Sequence, residues 1–141
     1  AKPGRVLLQT HHPDHPLLRT LLAKGYGTAA VSLLAEREQA ALPPYSHQIL
    51  LRADAHERVA VDAFLAAAAA ALPDDHSLQL AGPMAAPMAL RAGRHRGQLL
   101  LEAASRAQLH AVARPWQRAL GKLPAARRVR WSLDVDPIDL Y

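Results

Sequence analysis

The adjacent prolines Pro43-Pro44 constrain this chain more than any other feature. Proline fixes φ and has no amide donor, so a pair ends a helix and is excluded from the interior of a sheet. Before the pair the apolar residues recur with helical spacing. After it, short apolar runs alternate with helical stretches. The chain therefore reads as two parts, residues 1–42 and residues 43–141.

In the first part, residues 5–10 with Val6-Leu7-Leu8 predict a buried strand. Pro13 and Pro16 end it, and Asp14 can cap a helix with the apolar stripe Leu17, Leu18, Leu21 and Leu22. Gly25-Tyr26-Gly27 reads as its stop. A second helix is expected over residues 28–41. In the second part, Ile49-Leu50-Leu51 centres a strand over residues 47–53. Asp54 or His56 opens an alanine-rich helix reaching Leu72, ended by Pro73. A strand over 77–84 and a loop over 87–93 follow. A strand over 94–103, a helix from the cap Ser105 to Leu120 and a strand over 129–135 complete the chain. Strand, helix, strand, strand, helix, strand is the split βαβ order. It predicts an α+β, ferredoxin-like domain with a four-stranded sheet and two helices on one face.

Several chemistries are excluded or disfavoured. The chain has no cysteine, which rules out disulfides, thiolate zinc sites and thiol nucleophiles and fits a reducing cytoplasm. Half of the residues are hydrophobic, enough for a packed core. No apolar run approaches the ~18 residues of a membrane span. Ala1-Lys2-Pro3-Gly4-Arg5 is not a signal peptide and reads like the middle of a longer protein. His11, His12 and His15 suggest zinc, but adjacent histidines on a strand point to opposite faces, and no metal site is expected. Asp134, Asp136 and Asp139 could gather around magnesium, although a polar exit from the last strand explains them as well. There is no Walker A, GxSxG or HExxH pattern, so no complete active site is visible.

Charge carries the functional signal. Residues 91–130 hold ten Arg/Lys and a single acid, Glu102, for a net +9, while the remaining residues carry seven cations against eleven acids, −4. Such segregation points to a polyanion, either a phosphate backbone or an acidic peptide, with a solvated arginine-rich surface as the alternative. Arg106, His110, Arg114 and Arg118 recur every four residues beside the apolar stripe Leu109, Val112, Ala113, Trp116 and Leu120. Like charges at that spacing repel by ~0.2–0.5 kcal/mol per pair, which an anion would relieve; the arginines can also simply lie over the stripe's edge. Arg91, Arg94 and Arg96 surround a glycine-containing turn, where guanidinium forks and a close-approaching backbone suit phosphate. Arg127, Arg128 and Arg130 flank the last strand. Six aromatic residues in all leave little for base stacking, so contacts to nucleic acid would fall mainly on the backbone.

Gly4-Arg5-Val6-Leu7-Leu8-Gln9-Thr10-His11-His12-Pro13-Asp14-His15-Pro16 resembles the segment after the last helicase motif in replication-restart DNA helicases of the primosomal protein N′ (PriA) type. Ala35-Glu36-Arg37 with Leu42-Pro43-Pro44-Tyr45, then Gly82-Pro83, Ser105-Arg106 and Asp134-Val135-Asp136-Pro137, match that family in order. The resemblance implies a C-terminal fragment of a bacterial, cytoplasmic, nucleoid-associated 3′ to 5′ helicase that recognises stalled forks and assembles the primosome. Residues 1–42 would finish the second motor lobe, and residues 43–141 would form a C-terminal domain similar to ribosomal protein S10. ATP, magnesium and zinc would belong to the parent chain and no cofactor to this fragment. Implied partners are forked and single-stranded DNA, other primosome proteins and the acidic C-terminal tail of single-stranded DNA-binding protein. No membrane is implied. The family's tail-binding arginine falls on Arg106, and the glutamine of the next turn is replaced here by His110.

The expected function is thus a non-catalytic DNA-binding and partner-docking region. Arg91, Arg94, Arg96, Arg114, Arg118, Arg127 and Arg128 are its candidate DNA contacts, with Arg106 and His110 for the tail. An RNA-binding domain of ribosomal type, a metal-dependent phosphoryl enzyme and a purely structural lid on the motor are the competing readings.

Overall fold

The computed structural model describes residues 4–138. The chain divides at Ala40/Ala41 into two compact units, two residues before the expected boundary.

The first unit is built on helix α1 (Pro16–Gln39). Its cap is His15, whose Nδ1 accepts from the Leu17 amide at 3.2 Å, while Asp14 pairs with Arg19 instead. At Gly25 the backbone leaves helical values (φ 81°, ψ 175°), so α1 is two helical segments that meet at a kink, at the glycine where the sequence places a stop. The strand expected over residues 5–10 does not form. A strand needs a neighbour for its amides, and here Val6 and Leu7 are 90% and 86% exposed.

The second unit is α+β. Strand β1 (His47–Ala55) leads to helix α2 (Arg58–Ala70), then to strands β2 (Leu78–Arg91) and β3 (Arg94–Ala103), helix α3 (Arg106–Lys122), a 3-10 turn (Pro124–Arg128) and strand β4 (Arg130–Val135). The strand order is β2-β3-β1-β4, with every neighbouring pair antiparallel. Each βαβ unit thus leaves a gap that a strand of the other fills. Neither Asp54 nor His56 caps α2; its N-cap position is Glu57, because β1 runs on to Ala55. The loop expected over residues 87–93 is mostly strand. β2 reaches Arg91 through two register shifts, between Ala81 and Met84 and between Ala85 and Leu90. Such bulges let prolines and unpaired residues persist in a strand, which hides it from pattern reading.

Alternation along β1 explains the layers. Ile49, Leu51, Ala53 and Ala55 enter a core with Val61, Phe64, Leu65 and Ala68 of α2 and Leu109, Ala113, Trp116 and Leu120 of α3. The Trp116 indole donates to the Ala68 carbonyl at 2.9 Å, satisfying an acceptor near the end of α2. Gly97 admits α2 closely: a Cβ there would stand 2.7 Å from Leu65 Cδ1 and 3.0 Å from Val61 Cγ1. The other residues of β1, Gln48, Leu50, Arg52 and Asp54, lie on the opposite sheet face, which carries polar pairs. There Gln48 Nε2 donates to Glu102, and Arg52 pairs with Asp134 at 3.3 Å.

Candidate functional site

Register gathers the basic residues at one end of the sheet. On β1, Asp54 faces Arg96 of β3 on one side and Arg130 of β4 on the other. The β2–β3 turn lies at this same end, with Arg91 opposite Arg94 and both Ala92 and Gly93 at positive φ, 49° and 71°. Two positive values identify the two-residue hairpin turn whose twist suits antiparallel strands. The 3-10 turn directly before β4 adds Arg127 and Arg128. Arg91, Arg127, Arg128 and Arg130 are exposed, and none of them, nor Arg96, forms an ion pair with a carboxylate among the described residues.

Arg94 is different. Its Nε donates to Asp54, its Nη2 donates to the Asp54 main-chain oxygen at 3.0 Å, and only 18% of its side chain is exposed. This guanidinium is engaged within the domain, where it neutralises the one acid between Arg96 and Arg130.

Helix α3 joins this end to the opposite one. Ser105 caps it by accepting from the Gln108 amide at 3.2 Å, which sets Arg106 at its first position. Arg106, His110, Arg114 and Arg118 are all exposed, while Leu109, Ala113, Trp116 and Leu120 are buried. Pro115 is tolerated because the Ala111 carbonyl it leaves without an amide partner belongs to an exposed residue. At ~1.5 Å per residue the row from Arg106 to Arg118 runs about 18 Å along the 17-residue helix.

At the far end Arg106 meets Asp136. Its Nη2 donates to Asp136 Oδ2 at 2.9 Å. Asp136 Oδ1 accepts from the Gln48 amide at 3.3 Å and lies 3.6 Å from His47 Nδ1. The Asp136 amide donates back to the Gln48 carbonyl at 2.8 Å. Asp136 itself sits at φ 50°, a conformation that Asp tolerates better than most residues. Partial burial pushes its carboxyl upward, but the Arg106 and Gln48 hydrogen bonds, with the charges of Arg106 and His47, hold it below the ordinary carboxylate value. Around this node Pro43, Pro44, Ser46, His47, Arg106, Asp136 and Pro137 line a pocket of about 310 Å³.

The sequence-predicted residues therefore fall into two groups. Arg91, Arg94, Arg96, Arg127 and Arg128 meet at the hairpin end, and Arg106 marks the other end, with His110, Arg114 and Arg118 between. Sequence reasoning counted Arg130 among the cations flanking the last strand without naming it as a DNA contact, read Asp136 as a possible metal ligand or polar strand exit, and missed Asp54 as a participant. Alternation in β1 and β4 marks which face each occupies, but their cross-strand partners depend on register. Among the described residues no group of three or more His, Asp or Glu could hold a metal ion. Asp134 and Asp136 are each engaged by an arginine, and Asp139 lies outside the described residues. No helix among the described residues is long and apolar enough to cross a membrane.

Comparison with known proteins finds relatives along the whole chain. Replication restart protein PriA of Haemophilus influenzae is 43% identical over 141 residues, covering 99% of this chain and 19% of that protein. The proteins of the same name from Synechocystis and Bacillus subtilis are 29% and 27% identical, covering 99% and 96% of this chain and 16% and 17% of their own lengths. The chain thus spans less than a fifth of the length of these relatives. The family model of the primosomal protein N C-terminal domain matches residues 38–138, and the chain belongs to that family.

Proposed function

We infer that this chain is the DNA-binding and partner-docking region of a replication-restart protein whose parent chain is an ATP-dependent 3′ to 5′ helicase acting at stalled forks. The observation that carries the reading is the set of exposed arginines at the hairpin end and along α3, without carboxylate partners among the described residues. Guanidiniums left unneutralised over such a length suit a phosphate backbone, and the relatives' names supply the setting of replication restart. In this reading Arg91, Arg96, Arg127 and Arg128 meet DNA at one end and Arg114 and Arg118 continue the track. Arg94 supports the strand beneath it. The Arg106 pocket receives the acidic C-terminal tail of single-stranded DNA-binding protein, with His110 one turn further along. A guanidinium ringed by prolines can fork onto a terminal carboxylate while the rings pack against an apolar side chain. ATP, magnesium and zinc belong to the parent chain, and the setting is the bacterial cytoplasm at the nucleoid.

The test is a titration of the 141-residue chain with labelled forked DNA at two salt concentrations, beside Arg91→Ala/Arg127→Ala/Arg128→Ala. Arg94 is left intact because its removal would strand Asp54. Binding that weakens steeply with salt, and a variant with at least tenfold lower affinity and a shallower slope, support the reading. Equal binding by both proteins would remove the hairpin end from the interface, and preference for a matched RNA would favour the ribosomal-type alternative.

A further inference from the structure

The sheet face opposite the helices holds a recess of about 270 Å³ lined by Arg52, Asp54, Arg96, Arg130 and Ser132, with Ala86 of the bulged strand at its side. Its charge is unbalanced in a defined way. Arg52 is paired with Asp134 and Asp54 with Arg94, so both acids nearby are already matched. Arg96 and Arg130 remain, one on each strand flanking Asp54. Strands stand about 4.8 Å apart, so these two guanidinium-bearing residues are rooted about 10 Å apart across β1 and extend from the same face. Two like charges flanking one recess repel unless an anion lies between them. Ser132, next to Arg130 but one along on the same face, adds a hydroxyl donor.

We propose that this recess is a phosphate seat for the backbone of a nucleic-acid strand, with Arg96 and Arg130 gripping one phosphodiester from either side and Ser132 donating to it. The proposal deepens the DNA-binding reading and rests on it. It adds Arg130 and Ser132, and it places one contact on the helix-free face instead of on the row of α3. The Arg94–Asp54 pair has a part in it: with Asp54 neutralised, no free carboxylate repels the phosphate.

The probe is a labelled oligothymidylate of about ten nucleotides, a length within the usual footprint of single-strand binders. It is titrated against the 141-residue chain, Arg96→Ala/Arg130→Ala, Arg96→Lys/Arg130→Lys and the control Arg19→Ala/Arg58→Ala, which removes two charges elsewhere. The alanine pair should lose about tenfold or more in affinity, with the salt slope falling by about 0.7 for the single phosphate lost. The lysine pair should keep the slope and lose part of the affinity, because it keeps charge without the fork. Inorganic pyrophosphate should compete on the unaltered chain and shift the Ser132 amide in an NMR titration. If the oligonucleotide binds the unaltered and alanine-pair chains equally, the seat is wrong while DNA binding stands on the other arginines. If pyrophosphate binds there and the oligonucleotide does not, the recess is a small-anion site and the strand assignment is overturned. Absence of binding by either probe overturns both the seat and the reading beneath it.

Discussion

At the residue scale, Asp136 decides the state of Arg106. It holds the guanidinium at 2.9 Å and is itself fixed by the amide of Gln48. Because its folded carboxyl titrates below the ordinary value, its contribution to stability is present above that value and disappears as pH falls through the folded one. The expected outcomes are that Asp136→Asn costs about 1–2 kcal/mol at neutral pH and that its thermal stability then falls less than that of the unaltered chain as the pH is lowered into the acid range. Thermal unfolding across pH checks both. The same substitution frees Arg106, so an acidic peptide ending in a free carboxylate should bind Asp136→Asn more tightly than the unaltered chain and Arg106→Ala least of all. Reversal of that order would show that the pocket does not use this guanidinium. Sequence reading placed Arg106 correctly at a helix start behind Ser105, since a capping serine is a local signal. It placed Asp136 only as a polar exit, since nothing local tells that a residue thirty positions away will meet it.

At the scale of elements, helix against sheet is set by Gly97. The missing Cβ lets Leu65 and Val61 of α2 close onto β3. Gly97→Val should cost about 2–3 kcal/mol, because backbone on one side and a packed helix on the other leave the new side chain no room. Urea unfolding measures it; a cost near zero would mean that α2 stands off the sheet. The strongly periodic elements were legible: β1, β3 and α3 stand within a residue or two of their expected bounds. The less regular ones were legible only in part: the strand expected over 77–84 forms, but its continuation to Arg91 was read as a loop. β2 carries Pro83 and Pro87 and stays in the sheet only through its two register shifts, and the 3-10 turn before β4 has no periodicity to read. Residues 5–10 have the apolar content of a strand but no neighbour to pair with, and propensity alone does not make a strand.

At the scale of the molecule, the two units differ in how much they bury. The core lies in the unit from Ala41 onward, whereas Ala29 is the one residue that α1 buries. Limited proteolysis should therefore cut first near Gln39–Tyr45 or before it, and leave a product beginning there with the thermal midpoint of the sheet domain. Preferential cleavage within residues 58–70 or 106–122 would contradict that partition. The basic character of residues 91–130 was evident from counting, but its division was not. Counting gives one arginine-rich window; the folded domain separates it into a hairpin end, an α3 track and Arg106 at the far end.

Local chemistry in the sequence was enough to determine the break near the prolines, the succession of strands and helices from His47 onward, the buried stripe of α3 and the excess of positive charge. Each depends on neighbours within a few residues, through capping, periodicity or fixed dihedral angles. The tertiary structure alone decided which charges are spent within the domain and which are left over. Arg94 is absorbed by Asp54 and Arg106 by Asp136, whereas Arg96 and Arg130 are brought to two sides of a neutralised acid. Those outcomes depend on cross-strand register. Register is a property of the assembled sheet, where a shift of one strand by one residue would send its Asp54, Arg94, Arg96 or Arg130 to the other face.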